Sequence, residues 1–310
     1  MADEIEFEPT RFDGEYVLIT VPTDALFPVI DLRTSARLQL RPSRIIGSGS
    51  GALGDVLRAV SSESIVRVEE KSSSDQTSDI YLLHFSTFLN DSTTLRGFQT
   101  FRQDVNLFEQ EQDFSLRLRY EHARGFSQYA LASERSFRGE RSLRLRTQPV
   151  ADIGFQADLA FTNDNVASTQ ASNRARSLTA TSFAGDLSYR PFPRVEVGFV
   201  LALKSATDSH TGTPLEAAIN AQTLRSTVSF DGPGRVRVEV ERSEVGLSTA
   251  VQSFPYELTD GKPEGQSWVL RMNFDYRITS FLQATLSYVG RTEGTPQLLS
   301  TMRAEVRAFF

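Results

Sequence analysis

Residues 268–278 read WVLRMNFDYRI, and only an extended chain sorts them by polarity. Trp268, Leu270, Met272, Phe274, Tyr276 and Ile278 share one parity, and Val269, Arg271, Asn273, Asp275 and Arg277 share the other. Successive side chains of a strand point to opposite faces, so a period of two separates an apolar face from a charged one. The same alternation appears in FSLRLRY (114–120), IGFQADLAF (153–161), VEVGFVLAL (195–203) and RVRVEVE (235–241). It also appears at the chain end, MRAEVRAFF (302–310).

The alternation predicts strands at 79–89, 95–108, 113–122, 129–148, 151–164, 176–191, 195–208, 217–231, 234–247, 266–279, 282–292 and 299–310. Residues 64–71 and 37–45 bring the total to fourteen. Short connections (109–113, 148–151, 191–194, 231–234, 279–282) alternate with longer polar ones such as TNDNVASTQASNRAR and TDSHTGTPLE. An up-and-down meander with one tight end and one loopy end produces this order. Pro and Gly fall mainly in the connections, where a ladder tolerates them. The first 63 residues read differently: EYVLITVP (15–22) is a candidate strand, and GALGDVLRAVSS (51–62) sets Leu53, Val56, Leu57 and Val60 on one helical face. The expected organisation is therefore an N-terminal segment with a short helix over 1–63, periplasmic, plug-like or a remnant of an upstream region, and a sheet over 64–310.

Each strand must hide its apolar face either in a dry core or in lipid. Strands of ten to twelve alternating residues exceed the usual soluble length. At about 3.3 Å per residue and a tilt of about 40°, eleven residues cross roughly 25–28 Å, the height of an outer-membrane apolar band. Aromatics near strand ends (Tyr120, Phe161, Tyr189, Phe192, Phe230, Trp268, Tyr276, Tyr288, Phe310) suit interfacial girdles. The fold class expected is all-β, an antiparallel up-and-down transmembrane barrel of about twelve to fourteen strands or part of a larger one.

On these residues the chain resembles the bacterial outer-membrane β-barrel proteins, over roughly 64–310 and in the C-terminal region of longer surface proteins. Its last strand, with Met302, Ala304, Val306, Ala308 and Phe310 on the apolar parity, is similar to the family's C-terminal assembly signal. The resemblance implies a final strand that seals the barrel and is read by the barrel-assembly machinery. It implies a porin-like channel, or the membrane module of a surface or export assembly, in the bacterial outer membrane. The partners implied are the lipid bilayer, the assembly machinery and a surface or periplasmic protein. MADEIEFEPT has no signal-peptide pattern, so the expectation is that the chain is a fragment whose parent carries the signal and further strands.

By parity the lumen-facing charges are Arg117, Arg119, Asp186, Arg190, Arg235, Arg237, Glu239, Glu241, Arg271, Asp275, Arg277, Arg303, Glu305 and Arg307, joined by Arg144, Arg146, Lys204, Arg225, Glu121, Asp152, Asp158 and Glu196. Cations exceed acids on this face, whereas the whole chain carries a net charge of −6.

Little catalytic chemistry is visible. There is no cysteine, which removes thiol catalysis and cysteine metal sites. The three histidines are scattered: His84 in an expected strand, His122 at a strand end and His210 in a loop with Asp208. No cofactor, metal, catalytic residue or nucleic-acid partner is expected, and the net acidity agrees with the last point. Two rival readings stand beside the barrel: a soluble surface-exposed β-sandwich for adhesion, and a barrel hydrolase using Asp208 and His210.

Overall fold

Each strand of the computed structural model pairs antiparallel with its neighbours in sequence, giving one sheet of 13 strands in the order β1 to β13. The structure describes residues 28–309 except 45–53, 55–56, 75–76, 83, 85–86, 112, 171, 173, 211, 231, 233, 250–253 and 294–296. The strands are β1 (Ile30–Leu40), β2 (Val60–Ser72), β3 (Thr94–Leu107), β4 (Phe114–Gln128), β5 (Ser133–Val150), β6 (Ile153–Ser168), β7 (Arg176–Phe192), β8 (Val195–Asp208), β9 (Leu215–Ser229), β10 (Gly234–Leu247), β11 (Gly265–Thr279), β12 (Leu282–Glu293) and β13 (Leu298–Ala308). Two helical turns, α1 (Thr77–Tyr81) and α2 (Tyr256–Thr259), lie in connections at the loopy end. The sheet does not close. β1 pairs with β2 and β13 with β12, and their outer edges are unpaired among the described residues.

β8 and β10 occupy the spans that alternation predicts, while several other elements differ. The strand expected at 79–89 does not form; α1 and a turn stand there, and His84 lies in this connection. The reason is pairing: β2 already bonds β1 on one side and β3 on the other, so the ladder has no vacancy. The apolar residues of the segment cap the sheet instead. Ile80 and Phe88 bury themselves against Val68, beside Ile30, Leu32 and Val66. The strand expected at 37–45 lies earlier, at Ile30–Leu40, and Pro42–Arg44 is a 3-10 turn. Of the helix expected at 51–62, residues 54 and 57–59 are helical among the described residues, and Val60 opens β2 opposite Leu107. Leu57 is exposed; Leu53 and Val56, like the candidate strand at 15–22 and Phe310, lie outside the described residues.

The cross-strand rungs show how the apolar face is organised. One runs Phe114, Thr147, Phe155, Leu187, Phe199, Leu224, Val240 and Leu270, almost wholly apolar across eight strands. It does not follow one depth. On β4, Phe114 is the last outward residue before the short turn, whereas on β11 the chain continues six residues beyond Leu270 to Tyr276. A drift of six residues, about 20 Å, over seven strand spacings of about 4.8 Å implies strands tilted by about 30°. Tilted strands crossing a level apolar slab produce such a drift.

On several strands the apolar stretch occupies only the half next to the short turns, whereas on β11 it runs from Trp268 to Ile278. On β6 it runs from Ile153 to Phe161, and the same face then carries Asn163 and Asn165. On β4 it runs from Phe114 to Tyr120, and then carries His122 and Arg124. This explains why β4 and β6 run on to Gln128 and Ser168, past the expected ends at 122 and 164. Beyond the slab both faces meet water, so the ladder continues although the polarity signal stops.

No second layer covers the apolar half among the described residues. Phe199, Leu203, Leu224 and Met272 are 44%, 41%, 53% and 38% exposed, so the β-sandwich reading, which needs an opposing sheet, is set aside. A charge placed centrally on this face should be expensive. Met272→Arg should lower unfolding stability in phospholipid vesicles by about 2–4 kcal/mol. Asn273→Asp, which faces Arg237 on the opposite side of the sheet, should stay within about 0.5 kcal/mol.

Candidate functional site: the charged face and its inserted loop

The alternation that exposes the apolar side gathers the charges on the other. The rungs place Arg117 opposite Arg144, Asp158 opposite Arg144, and Glu239 between Arg225 and Arg271. Neighbouring strands then pair many of them. Arg119 grips Asp104 through two bonds, of 2.7 and 3.1 Å, Arg144 reaches Asp158 at 2.5 Å, and Arg225 reaches Asp186 at 2.8 Å. Arg271 donates to Glu239 at 2.5 Å, and Arg190 meets Glu196 at 3.1 Å. On β13, Arg303 and Arg307 share Glu305. The fork of a guanidinium suits bidentate pairing with a carboxylate, which favours arginine over lysine in such a lattice.

Some cations stay outside the lattice. Arg146, Arg235, Arg237 and Arg277 have no ion pair among the described residues, and all four lie towards the short-turn end of their strands. Asp275 accepts from Thr285 rather than from an arginine. The positive surplus of this face is therefore concentrated near one end.

The loopy end of the same face is covered. The connection from β10 to β11 turns inward, and α2 packs across β7, β8 and β9. Leu258 is fully buried against Leu178, Ala206 and Ala217, with Phe254 beside them. Small side chains at 206 and 217 leave room for it. Three charged tethers hold the loop down. Lys204 Nζ donates to the Glu257 carbonyl at 2.8 Å and to Asp260 Oδ1 at 2.6 Å. Arg176 bridges Asp164 and Glu257, each at 3.0 Å, and Lys262 pairs with Glu241. Asp260 and Gly261 both adopt positive φ, 55° and 72°, which turns the chain back toward β11. Sequence reasoning treated this loop as a plain polar connection. The signal it passed over is Leu258 among polar neighbours, together with Lys204, a lysine on a face served mainly by arginine.

Asp208 and His210 do not form a catalytic pair. Asp208, 5% exposed, accepts the backbone N–H groups of Ser177 at 2.9 Å and His210 at 3.0 Å. The carboxylate caps a turn, and the contact with His210 is through its main chain, not its imidazole. A general base needs its ring oriented by the acid. Among the described residues no group of three or more His, Cys, Asp or Glu is placed to hold a metal ion.

A two-faced, up-and-down antiparallel sheet with tilted strands, short turns at one end and longer loops at the other is the fold of the bacterial outer-membrane β-barrels. Comparison with solved structures agrees. The alcaligin outer-membrane receptor FauA from Bordetella pertussis superposes with a TM-score of 0.54 at 11% identity, over 84% of this chain and 42% of that one. The siderophore receptor PirA from Pseudomonas aeruginosa superposes with a TM-score of 0.50 at 11% identity, over 75% and 36%. The chain thus spans less than half the length of these receptors. No family model matches the sequence, and no curated protein does.

The tethers make the inserted loop testable. Lys204→Ala combined with Arg176→Ala should release it, so that chymotrypsin cleaves after Tyr256 or Leu258 about ten times faster than in the parent chain, read by limited proteolysis in detergent micelles; tenfold corresponds to about 1.4 kcal/mol of lost docking.

Proposed function

We propose that the chain forms the wall of an outer-membrane channel with an anion-favouring mouth at its short-turn end, the membrane module of a barrel completed by further strands. The observation that carries this reading is the group of unpaired arginines, Arg146, Arg235, Arg237 and Arg277, on the charged face near the short turns. In outer-membrane barrels short turns face the periplasm, so these cations ring the periplasmic mouth. Rings of arginine select for anions. The cross-strand pairs further up act differently: they fill and stiffen the wall. The inserted loop narrows the passage from the outer side.

The edges support the module reading. β1 and β13 both run from the loopy end towards the short-turn end. A direct seam between them would be parallel, while antiparallel closure takes an odd number of strands in between. The free edge of β13, with Met302, Ala304, Val306 and Ala308 on its outward face, is the segment we assign to recognition by the barrel-assembly machinery, through strand addition. The hydrolase alternative gains nothing from Asp208, whose carboxylate is committed to backbone donors.

Planar-bilayer recording tests the mouth. The assembled protein should pass chloride in preference to potassium, and Arg235→Glu with Arg237→Glu should shift the reversal potential towards cation preference. Stable cation selectivity of the unaltered protein would sink the proposal. The edges have their own assay. Because the chain has no cysteine, Ala36→Cys in β1 and Ala304→Cys in β13 introduce the only thiols. Oxidation of the folded protein should leave them unlinked, and an intramolecular disulfide would show that the two strands meet directly.

A further inference from the structure

The outward face carries a second set of arginines that the charged-face lattice does not use. Arg141 shares a rung with Tyr120 on β4 and Phe161 on β6. Its guanidinium lies over the Tyr120 ring, 5.9 Å from the centroid. This rung is the upper limit of the apolar slab. Towards the short turns the same faces carry Leu118 and Leu116, Leu143 and Leu145, and Leu159 and Phe155. Away from the turns they carry His122 and Arg124, Gly139 and Phe137, and Asn163 and Asn165. Arg141 therefore stands where hydrocarbon gives way to the polar layer, at the end of the molecule that bears the longer loops.

Two outward arginines nearby have acidic partners: Arg135 pairs with Asp91 and Arg242 with Glu244. Arg141 and Arg124 are exposed and have no ion pair among the described residues. Nor does any outward-facing strand position above the slab from β3 to β8 carry a carboxylate: β3 offers Gln103, Phe101 and Gln99, β7 Thr181 and Thr179, and β8 Ser205 and Thr207. A hollow of about 470 Å³ opens at this height, with Tyr120, Phe137, Arg141, Phe161 and Asn163 among its lining residues. It has an aromatic floor, one guanidinium without an ion pair and walls of Thr, Ser and Asn; Glu140 also borders it, with its carboxylate paired to Arg138 on the opposite face.

We propose that this hollow binds the phosphorylated headgroup of an outer-leaflet lipid. Arg141 supplies a forked donor to the phosphate, Tyr120 and Phe161 pack against the first methylenes of the acyl chains, and Arg124 extends the positive field outward. Arginine suits this place because its apolar stem lies along the slab while its head reaches the polar layer. A guanidinium pairs with phosphate through two parallel bonds, and the aromatic ring beneath it holds its plane. The proposal rests on the bilayer placement of the sheet and is independent of conduction through it.

Native mass spectrometry of the full chain, refolded in zwitterionic detergent, tests the site with phosphatidic acid as the probe and phosphatidylcholine as the reference lipid. The unaltered chain should retain phosphatidic acid selectively. Arg141→Gln should weaken retention about tenfold, the effect of losing one charge-assisted contact, and Arg141→Lys should restore part of it. Arg138→Gln, on the same strand but the opposite face, should change nothing. Inorganic phosphate at equal concentration should not displace the lipid; full displacement would assign the site to free phosphate and overturn the lipid reading. Equal retention by the parent chain and Arg141→Gln would also overturn it. An unheated SDS gel separates the two levels of failure. Without a heat-dependent mobility shift the bilayer placement fails, whereas a shifted band with no selective retention means that the site itself is wrong.

Discussion

A backbone in hydrocarbon has no water to turn to, so every N–H and C=O inside the slab must find a partner within the protein. That requirement organises this chain. It demands that strands be ordered as a meander, because each must be bonded on both sides as soon as it forms. It explains the uninterrupted order β1 to β13 and the absence of any inserted strand between β2 and β3, even where 79–89 alternates well enough to suggest one. It also makes the two edges the least settled places in the molecule. There β1 and β13, which run in the same direction, present rows of donors and acceptors unpaired among the described residues.

Once the ladder is satisfied, lipid and water sort the side chains. Phe199, Leu224 and Leu270 stay exposed because their solvent is the bilayer. The charged side solves a different problem. Ion pairs such as Arg119–Asp104 and Arg271–Glu239 link strands, and each removes a pair of charges from the inner surface. The arginines left over near the short turns therefore dominate the local field. Pairing in one region sharpens the charge of another, which is why the short-turn end of this face differs in character from the sheet above it.

Much of this was legible in the residues because the slab enforces a strict period of two. Val195–Asp208 and Gly234–Leu247 could be read with correct ends since alternation from Val195 to Leu203 and from Arg235 to Glu241 marks each strand and turn-forming or polar connections bound it. Legibility failed wherever that enforcement stops. Past Phe161 and Tyr120 both faces are wet, so β6 and β4 continue without a polarity signal. At 79–89 apolar residues serve to cap Val68 from outside, and a cap needs no particular period. The inserted loop was illegible for a related reason. Leu258 finds its partners Leu178, Ala206 and Ala217 on three other segments of chain, and no local pattern announces such a meeting.

The inserted loop also shows why the outer half of the sheet extends so far beyond the slab. Within the slab the charged face lines the inner side, and the width of a barrel is set by strand number and tilt. Above it, the strands have no lipid to face and are free to carry other structures. Ile30–Leu40 and Val60–Ser72 support α1 and its turn on the outward side through Ile30, Leu32, Val66 and Val68, and Asp91 of the same connection pairs with Arg135. Arg176–Phe192, Val195–Asp208 and Leu215–Ser229 support α2 on the inward side through Arg176 and Lys204. The same ladder thus changes role along its length, from a lipid-facing wall near the turns to a scaffold near the loops. Of the tether residues, Arg176 and Asp164 sit in the second region, while Lys204 and Glu241 stand at the border of the slab. Lys204, Arg176 and Asp164 all lie on the loopward side of the rung from Phe155 to Phe199 and Leu224. An opening of the loop would therefore strain the scaffold and leave the slab-spanning rungs intact, so loop movement and membrane stability are separable in this architecture.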